Sequence, residues 1–157
     1  MPDALPKLVE SAFTGIVRRG RWLARIPFVP TFADALAQAA IAIVDPKRLR
    51  AMRKLEEEVS SWPGVKCGIH RYGGVAFRRD RSEFGHLHGC GLLDVRLGVA
   101  EARLSVAAGR ACPHHVLGHS AWVSFWLRRE LQLPNALVLL RQAWTRVHEH
   151  STGASAE

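Results

Sequence analysis

The chain has 157 residues, 48% of them hydrophobic and 23% charged, with a formal net charge of +8. These proportions are those of a globular domain and exclude a low-complexity, collagen-like or intrinsically disordered chain. A chain this long buries about 70% of its unfolded surface, so it needs no disulfide or metal merely to fold.

Three cysteines, Cys67, Cys90 and Cys112, form no CxxC pair. An odd count at scattered spacing argues against a secreted disulfide framework. The opening "MPDALPKLVES" has no basic region followed by an apolar core, so no signal peptide is expected. A reducing, cytoplasmic setting is the expectation. Basic residues gather in "RRGRWLAR" (18–25), "KRLRAMRK" (47–54) and "RRDR" (78–81). A field of that sign favours anionic partners. No nucleic-acid-binding fingerprint accompanies it, so no specific nucleic-acid partner is expected. A solvated, arginine-rich face is the simpler reading.

In chain order, residues 26–44, "IPFVPTFADALAQAAIAIV", are the most apolar stretch. Prolines and Asp34 interrupt it, and the part from Phe32 to Val44 is shorter than the roughly 20 residues a membrane span needs. Thr31 and Asp34 stand at capping-box spacing and predict a helix start there. A buried or surface-lying helix is expected, making at most weak, peripheral contact with a membrane surface. Asp45-Pro46 predicts an N-cap followed by proline at the first helical position. Leu49, Met52, Leu55 and Val59 mark one apolar stripe, and "SWPG" (61–64) ends that helix.

The period then changes. "VKCGIHRY", "GVAFRR", "EFGHLHG" and "LLDVRL" are short, turn-separated segments that predict antiparallel strands. "VAEARLSVAAG" (99–109) predicts a helix stopped by glycine. "AWVSFWL" (121–127), bulky on both faces, predicts a central strand under a further layer. Pro134 opens a last helix with the stripe Leu137, Leu140, Trp144 and Val147. The sum is an α+β fold, an antiparallel β-sheet packed by helices with an N-terminal helical segment. Its expected divisions are a helical extension over 1–45, an α+β domain over 46–150 and a disordered tail over 151–157.

Five of the eight histidines, His86, His88, His114, His115 and His119, fall within residues 86–119. On a strand, His86 and His88 point the same way while Leu87 points into the core. Two imidazoles so placed share one metal ion or flank one substrate atom. Gly85, Gly89 and Gly91 leave that space unfilled, which suits close approach of a ligand to the backbone. "CPHH" offers a third imidazole, completing the three-ligand set with an open position that catalytic metals use. His86, His88 and His115 are thus the metal-ligand candidates.

Glu83 lies three residues from His86, on the opposite face of a straight strand. It joins the site only if the chain bulges near Gly85. Cys90 and Cys112 offer a rival, a closed structural zinc site, but at no zinc-finger spacing. Ser120 follows His119 without a nucleophile elbow, which weakens a hydrolase reading. His70, in "GIHRYGG", either reaches the pocket from a strand start or caps a turn. The bland alternative for the His86-x-His88 pair is a strand end facing solvent.

The runs "WPGVKCGIHRYGGVAFRRDRSEFGHLHGCGLLDVRL" and "AAGRACPHHVLGHSAWVSFWL", with the closing helix, resemble the luciferase-domain family over residues 55–148. Motif order and spacing are most similar to its short bacterial members. Features shared with the fungal luciferase that acts on 3-hydroxyhispidin are Glu83, the His86-x-His88 pair, a helix ending near Gly109, a histidine in the 114–115 pair and Trp122 opening a strand. His119 departs, standing where short relatives have an acidic residue.

The resemblance implies chemistry with molecular oxygen, added to an electron-rich enolic pyranone to give a peroxide that loses carbon dioxide. Histidine clustering and the resemblance together make His86, His88, His115 and Glu83 the candidate catalytic residues, and His70, Arg71, His114, Trp122 and Asp94 are the candidate substrate contacts. The family is not known to need a flavin, and no Gly-rich dinucleotide loop is present, so neither flavin nor nicotinamide is expected. A divalent metal stays open.

These residue types suit that chemistry. Histidine titrates near neutrality and so serves as a base toward an enol or phenol. A second histidine or Arg71 stabilises the resulting anion. Trp122 either stacks on a flat conjugated ring or packs in the core. The function read from the sequence is a luciferase-like small oxygenase acting with molecular oxygen on an enolic or aromatic small molecule. The alternatives are a non-catalytic metal or small-ligand binding protein, and an anionic-surface binder built on the basic segments and the apolar helix.

Overall fold

A computed structural model describes residues 29–153 together with Leu8 and Ser11, with side chains as far as His148. The basic run 18–25 and residues 154–157 of the expected tail lie outside the described residues. The elements are α1 (Val29–Val44), α2 (Pro46–Ser60), β1 (Val65–Ile69), β2 (Val75–Arg79), β3 (Ser82–Leu87), β4 (Leu92–Arg96), α3 (Val99–Ala107), β5 (Cys112–His114), β6 (Gly118–Trp126), a 3-10 turn (Glu130–Gln132) and α4 (Leu133–Gly153). The six strands form one sheet in the order β1-β2-β3-β4-β6-β5, and every neighbouring pair is antiparallel. The α+β reading therefore holds.

Local chemistry accounts for the elements. Asp45 caps α2, its carboxylate accepting from the Arg48 backbone N–H at 3.2 Å, with Pro46 in the first turn. The stripe read from the sequence is the buried face of α2: Met52, Leu55 and Val59 are buried and Leu49 half-buried. The core joins them to Phe77, Phe84, Leu93, Val95 and Val123 of the sheet and to Leu139, Leu140 and Ala143 of α4. Burial of these side chains contributes roughly 1.5–3 kcal/mol each. The strand "AWVSFWL" is interior as expected, with β4 on one side and β5 on the other. The short strand β5 has no counterpart in the sequence reading. Three residues carry too little alternation to register as a strand.

Helix α1 corrects one expectation. It takes in Thr31 and Asp34, so neither caps it. Asp34 and Ile41 are buried, while Val29, Phe32, Leu36 and Ile43 form an exposed row. At 100° per residue those two sets fall on opposite sides of the helix. Among the described residues no helix is long and apolar enough to cross a membrane.

The pairing register sets up the site. Gly68, Ala76, His86, Asp94, Ser124 and Cys112 stand opposite one another across all six strands. Cross-strand partners face the same side. The adjacent row holds Phe77, Gly85, Val95 and Val123 and faces the core.

Candidate functional site

Asp94 lies at the centre of the polar row and is fully buried. Its Oδ2 stands 3.2 Å from His86 Nε2, 3.4 Å from His88 Nε2, 3.4 Å from His115 Nδ1 and 3.8 Å from His114 Nε2. Its Oδ1 accepts a 2.5 Å hydrogen bond from Ser124 Oγ. Strand alternation brings His86 and His88 to this face while Leu87 is buried on the other, as the spacing predicts. A register shift between Pro113 and His114 lets both His114 and His115 approach the same carboxylate.

The condition set for Glu83 is met. Phe77 pairs with Gly85 and Arg78 with Glu83, which leaves Phe84 as the extra residue of a bulge. The bulge turns Glu83 to the histidine face. Its Oε1 lies 2.9 Å from His86 Nδ1 and 3.3 Å from His70 Nε2, and its Oε2 accepts from Arg78 at 3.2 Å. The His70 and His86 rings stack 3.7 Å apart at 9°. His70 thus reaches the cluster, and it also accepts from the Tyr72 N–H at 3.3 Å. Trp122 lies 5.4 Å from the His86 ring and 6.3 Å from the His114 ring.

Two residues absent from the sequence reading of the site complete it. Asp34, from α1, accepts from the Gly89 N–H at 2.8 Å, and its Oδ1 stands 3.4 Å from His88 Nδ1. A lone carboxylate inside the most apolar run of the chain was the available signal. Ser124, two residues from Trp122 on β6, shares its facing with Asp94. Arg71 is exposed, its guanidinium 5.4 Å from the Tyr72 ring, and is outside the cluster. His119 is exposed as well.

The three glycines do not open a ligand space, which corrects that expectation. A Cβ at Gly85 would meet Leu140, one at Gly89 the Asp34 carbonyl oxygen, and one at Gly91 the Leu127 carbonyl oxygen. They admit neighbouring segments of the protein itself. The rival cysteine site also finds no support among the described residues. Three groups there have metal-ligand spacing: His70–Glu83–His86, His86–His88–Asp94 and Asp94–His114–His115, and none includes a cysteine.

Charge follows from these contacts. Burial alone would lower His88, but the carboxylates of Asp34 and Asp94 outweigh it and hold His88 up to about 9. Burial likewise opposes a charge on His86, and Asp94 and Glu83 outweigh it, so that His86 is raised. Burial and neighbouring imidazoles win at His70 and at His114, each lowered to about 4 although Glu83 and Asp94 respectively pull them upward. Burial would raise Asp94, yet His115, His86 and His88 hold it well below the usual carboxylate range. Glu83 is lowered too, His86, His70 and Arg78 outweighing its burial. The cluster therefore holds carboxylates that stay ionised beside imidazoles of unlike basicity.

A single antiparallel sheet with a histidine–carboxylate centre on one face, in an α+β fold, is the class that fold and site define. Within it, the family model of the luciferase domain matches residues 81–143, the family whose resemblance the motifs carry. The match includes Glu83, His86, His88, Asp94, His114, His115 and Trp122; Asp34 and His70 lie outside it. No curated protein and no solved structure gives a significant match.

Proposed function

We propose that the protein is a small luciferase-like oxygenase that joins molecular oxygen to an enolic or aromatic small molecule. The observation supporting this most directly is the convergence of four imidazoles on the buried Asp94 carboxylate, within a luciferase-domain match. In this reading His115 is the base toward the substrate. Its Nδ1 is engaged by Ser124 at 3.4 Å, its side chain keeps 12% exposure, and its other ring nitrogen takes the enol or phenol proton. The anion then supplies two electrons to dioxygen. A carbon–oxygen bond forms, the carbon is oxidised, dioxygen is reduced to the peroxide level, and the proton returns to the distal oxygen. Trp122, half-buried beside the imidazoles, offers a flat face to a conjugated ring. His86, His88 and Glu83 hold the polar floor.

Purified protein is expected to consume oxygen with hydroxypyranone or polyphenol substrates. His86→Ala with His88→Ala, or His115→Ala alone, should slow this by about 10²–10⁴-fold, the usual worth of a positioned acid or base. Unchanged turnover in a folded double variant would overturn the reading. The metal-ligand spacing of three side-chain groups favours a second reading, a binding protein without turnover. A thermal shift on ligand addition, with no oxygen uptake, would favour it. A cytoplasmic setting is part of the proposal, supported by three free cysteines. So is weak contact of α1 with a membrane surface, supported by its exposed apolar row.

A further inference from the structure

We infer that His86 Nε2, His88 Nε2 and Asp94 Oδ2 form a site for one divalent first-row transition-metal ion, oriented by Glu83 and by Asp34. Ion binding here does not depend on the proposed reaction and is measured without any substrate.

Proton positions select the ligands. A neutral imidazole has one nitrogen with a lone pair and one that carries hydrogen. His114 Nδ1 accepts from the Val116 and Leu117 N–H groups at 3.1 and 3.0 Å, so its hydrogen is on Nε2, the atom that faces Asp94. His70 Nδ1 accepts from the Tyr72 N–H, so its Nε2–H points at Glu83. His115 Nδ1 faces Ser124 Oγ, whose own hydrogen goes to Asp94 Oδ1; Nδ1 is therefore a donor. None of these three turns a lone pair toward the centre. In His86 and His88 it is Nδ1 that faces an outer carboxylate, Glu83 at 2.9 Å and Asp34 at 3.4 Å, and Nε2 that faces Asp94, so an incoming ion that displaces the Nε2 proton meets both Nε2 lone pairs beside Asp94 Oδ2. Of the three groups at ligand spacing, only His86–His88–Asp94 satisfies this condition.

Three further observations agree. Asp94 Oδ2 is buried without a hydrogen-bond partner, with imidazole nitrogens at 3.2 and 3.4 Å. A bound ion would satisfy that oxygen. The nitrogens stand 3.2 and 3.4 Å from it, and two ligands on one ion with bonds of about 2.0–2.2 Å lie about 3.0–3.4 Å apart. Finally, Nδ1–H···carboxylate contacts behind both histidines are how proteins orient metal-bound imidazoles. Two imidazoles and one carboxylate leave coordination positions open and suit iron(II), manganese(II), cobalt(II) or zinc(II).

The test is titration of chelator-treated full-length protein with cobalt(II) and with zinc(II), followed by calorimetry and by cobalt visible absorption. One ion per chain is expected. His88→Ala and Asp94→Asn should weaken binding by at least about 100-fold, and Asp34→Asn and Glu83→Gln by about 10–100-fold. Asp34→Asn should also shift the cobalt bands, whereas Phe32→Ala on the same helix should do neither. His114→Asn and His70→Asn should leave affinity within about threefold. Circular dichroism checks each fold, and His88→Ala carries the test if Asp94→Asn does not fold. Folded wild-type protein that binds no cobalt, or affinity that tracks His70 or His114 rather than His88, would overturn the site. One bound ion without oxygen uptake upholds the site and removes the proposed reaction. Oxygen uptake by protein that binds no ion does the reverse.

Discussion

Whether an imidazole in this cluster is charged depends on what its nitrogens meet. His88 lies between two carboxylates, so its folded value of about 9 exceeds the ordinary 6.5. A base raised in this way adds stability that is fully present below pH 6.5 and lost as pH rises through 9. His70 and His114, at about 4, do the opposite: their contribution is present above pH 6.5 and lost as pH falls through 4. The metal-free protein should therefore be most stable near pH 6.5, with both flanks sloping away. The alkaline flank from His88 is on the order of 3 kcal/mol, at about 1.4 kcal/mol per pH unit of displacement. Urea unfolding in chelator between pH 4 and 9 reads both flanks. His114→Asn should flatten the acid side and His88→Gln the alkaline side; the reverse pattern would contradict the charge assignment.

Elements meet in this fold where side chains are missing. Gly89 lets α1 approach the end of β3 so closely that an added Cβ would stand 2.3 Å from the Asp34 carbonyl oxygen and 2.9 Å from Gln38 Cβ. Neither atom moves without moving the helix. At Gly85 the nearest atom, at 2.7 Å, is Leu140 Cδ2, the end of a side chain that can turn aside. Gly89→Ala should then cost about 1–3 kcal/mol by urea unfolding, more than Gly85→Ala, and should speed amide exchange in α1. It should also weaken the Asp34–His88 contact, which a fall of the His88 titration toward 6.5 by NMR would record. Equal costs for the two glycines would show that α1 yields as easily as one leucine. The Phe84 bulge acts between strands in the same manner. Without it Glu83 would face the core side, and His70 and His86 would lose their shared acceptor.

On the scale of the whole molecule, the buried polar face and the apolar outer row lie on opposite sides of α1. Asp34 looks inward to His88 while Phe32, Leu36 and Ile43 look out. With a net charge of +8, contact with vesicles rich in anionic lipid should be measurable and should weaken as salt rises. Phe32→Ser with Ile43→Ser should reduce it several-fold without altering ion binding. Affinity indifferent to salt would remove the electrostatic part of that contact.

Much of this was legible in the letters. Three- and four-residue spacing marked the buried sides of α2 and α4, and the HLH alternation put His86 and His88 on one face. Both are local rules, since side-chain direction repeats every 3.6 or 2 residues whatever the rest of the chain does. Glu83 was legible only conditionally, because parity fixes a face until a bulge shifts it. Three things were decided by tertiary structure alone: Asp94 as the centre, Asp34 as a partner 55 residues from Gly89, and which partner each imidazole nitrogen faces. Each depends on strand register and helix docking that bring distant atoms within about 3.5 Å, and a distance between atoms far apart in sequence has no local period to betray it.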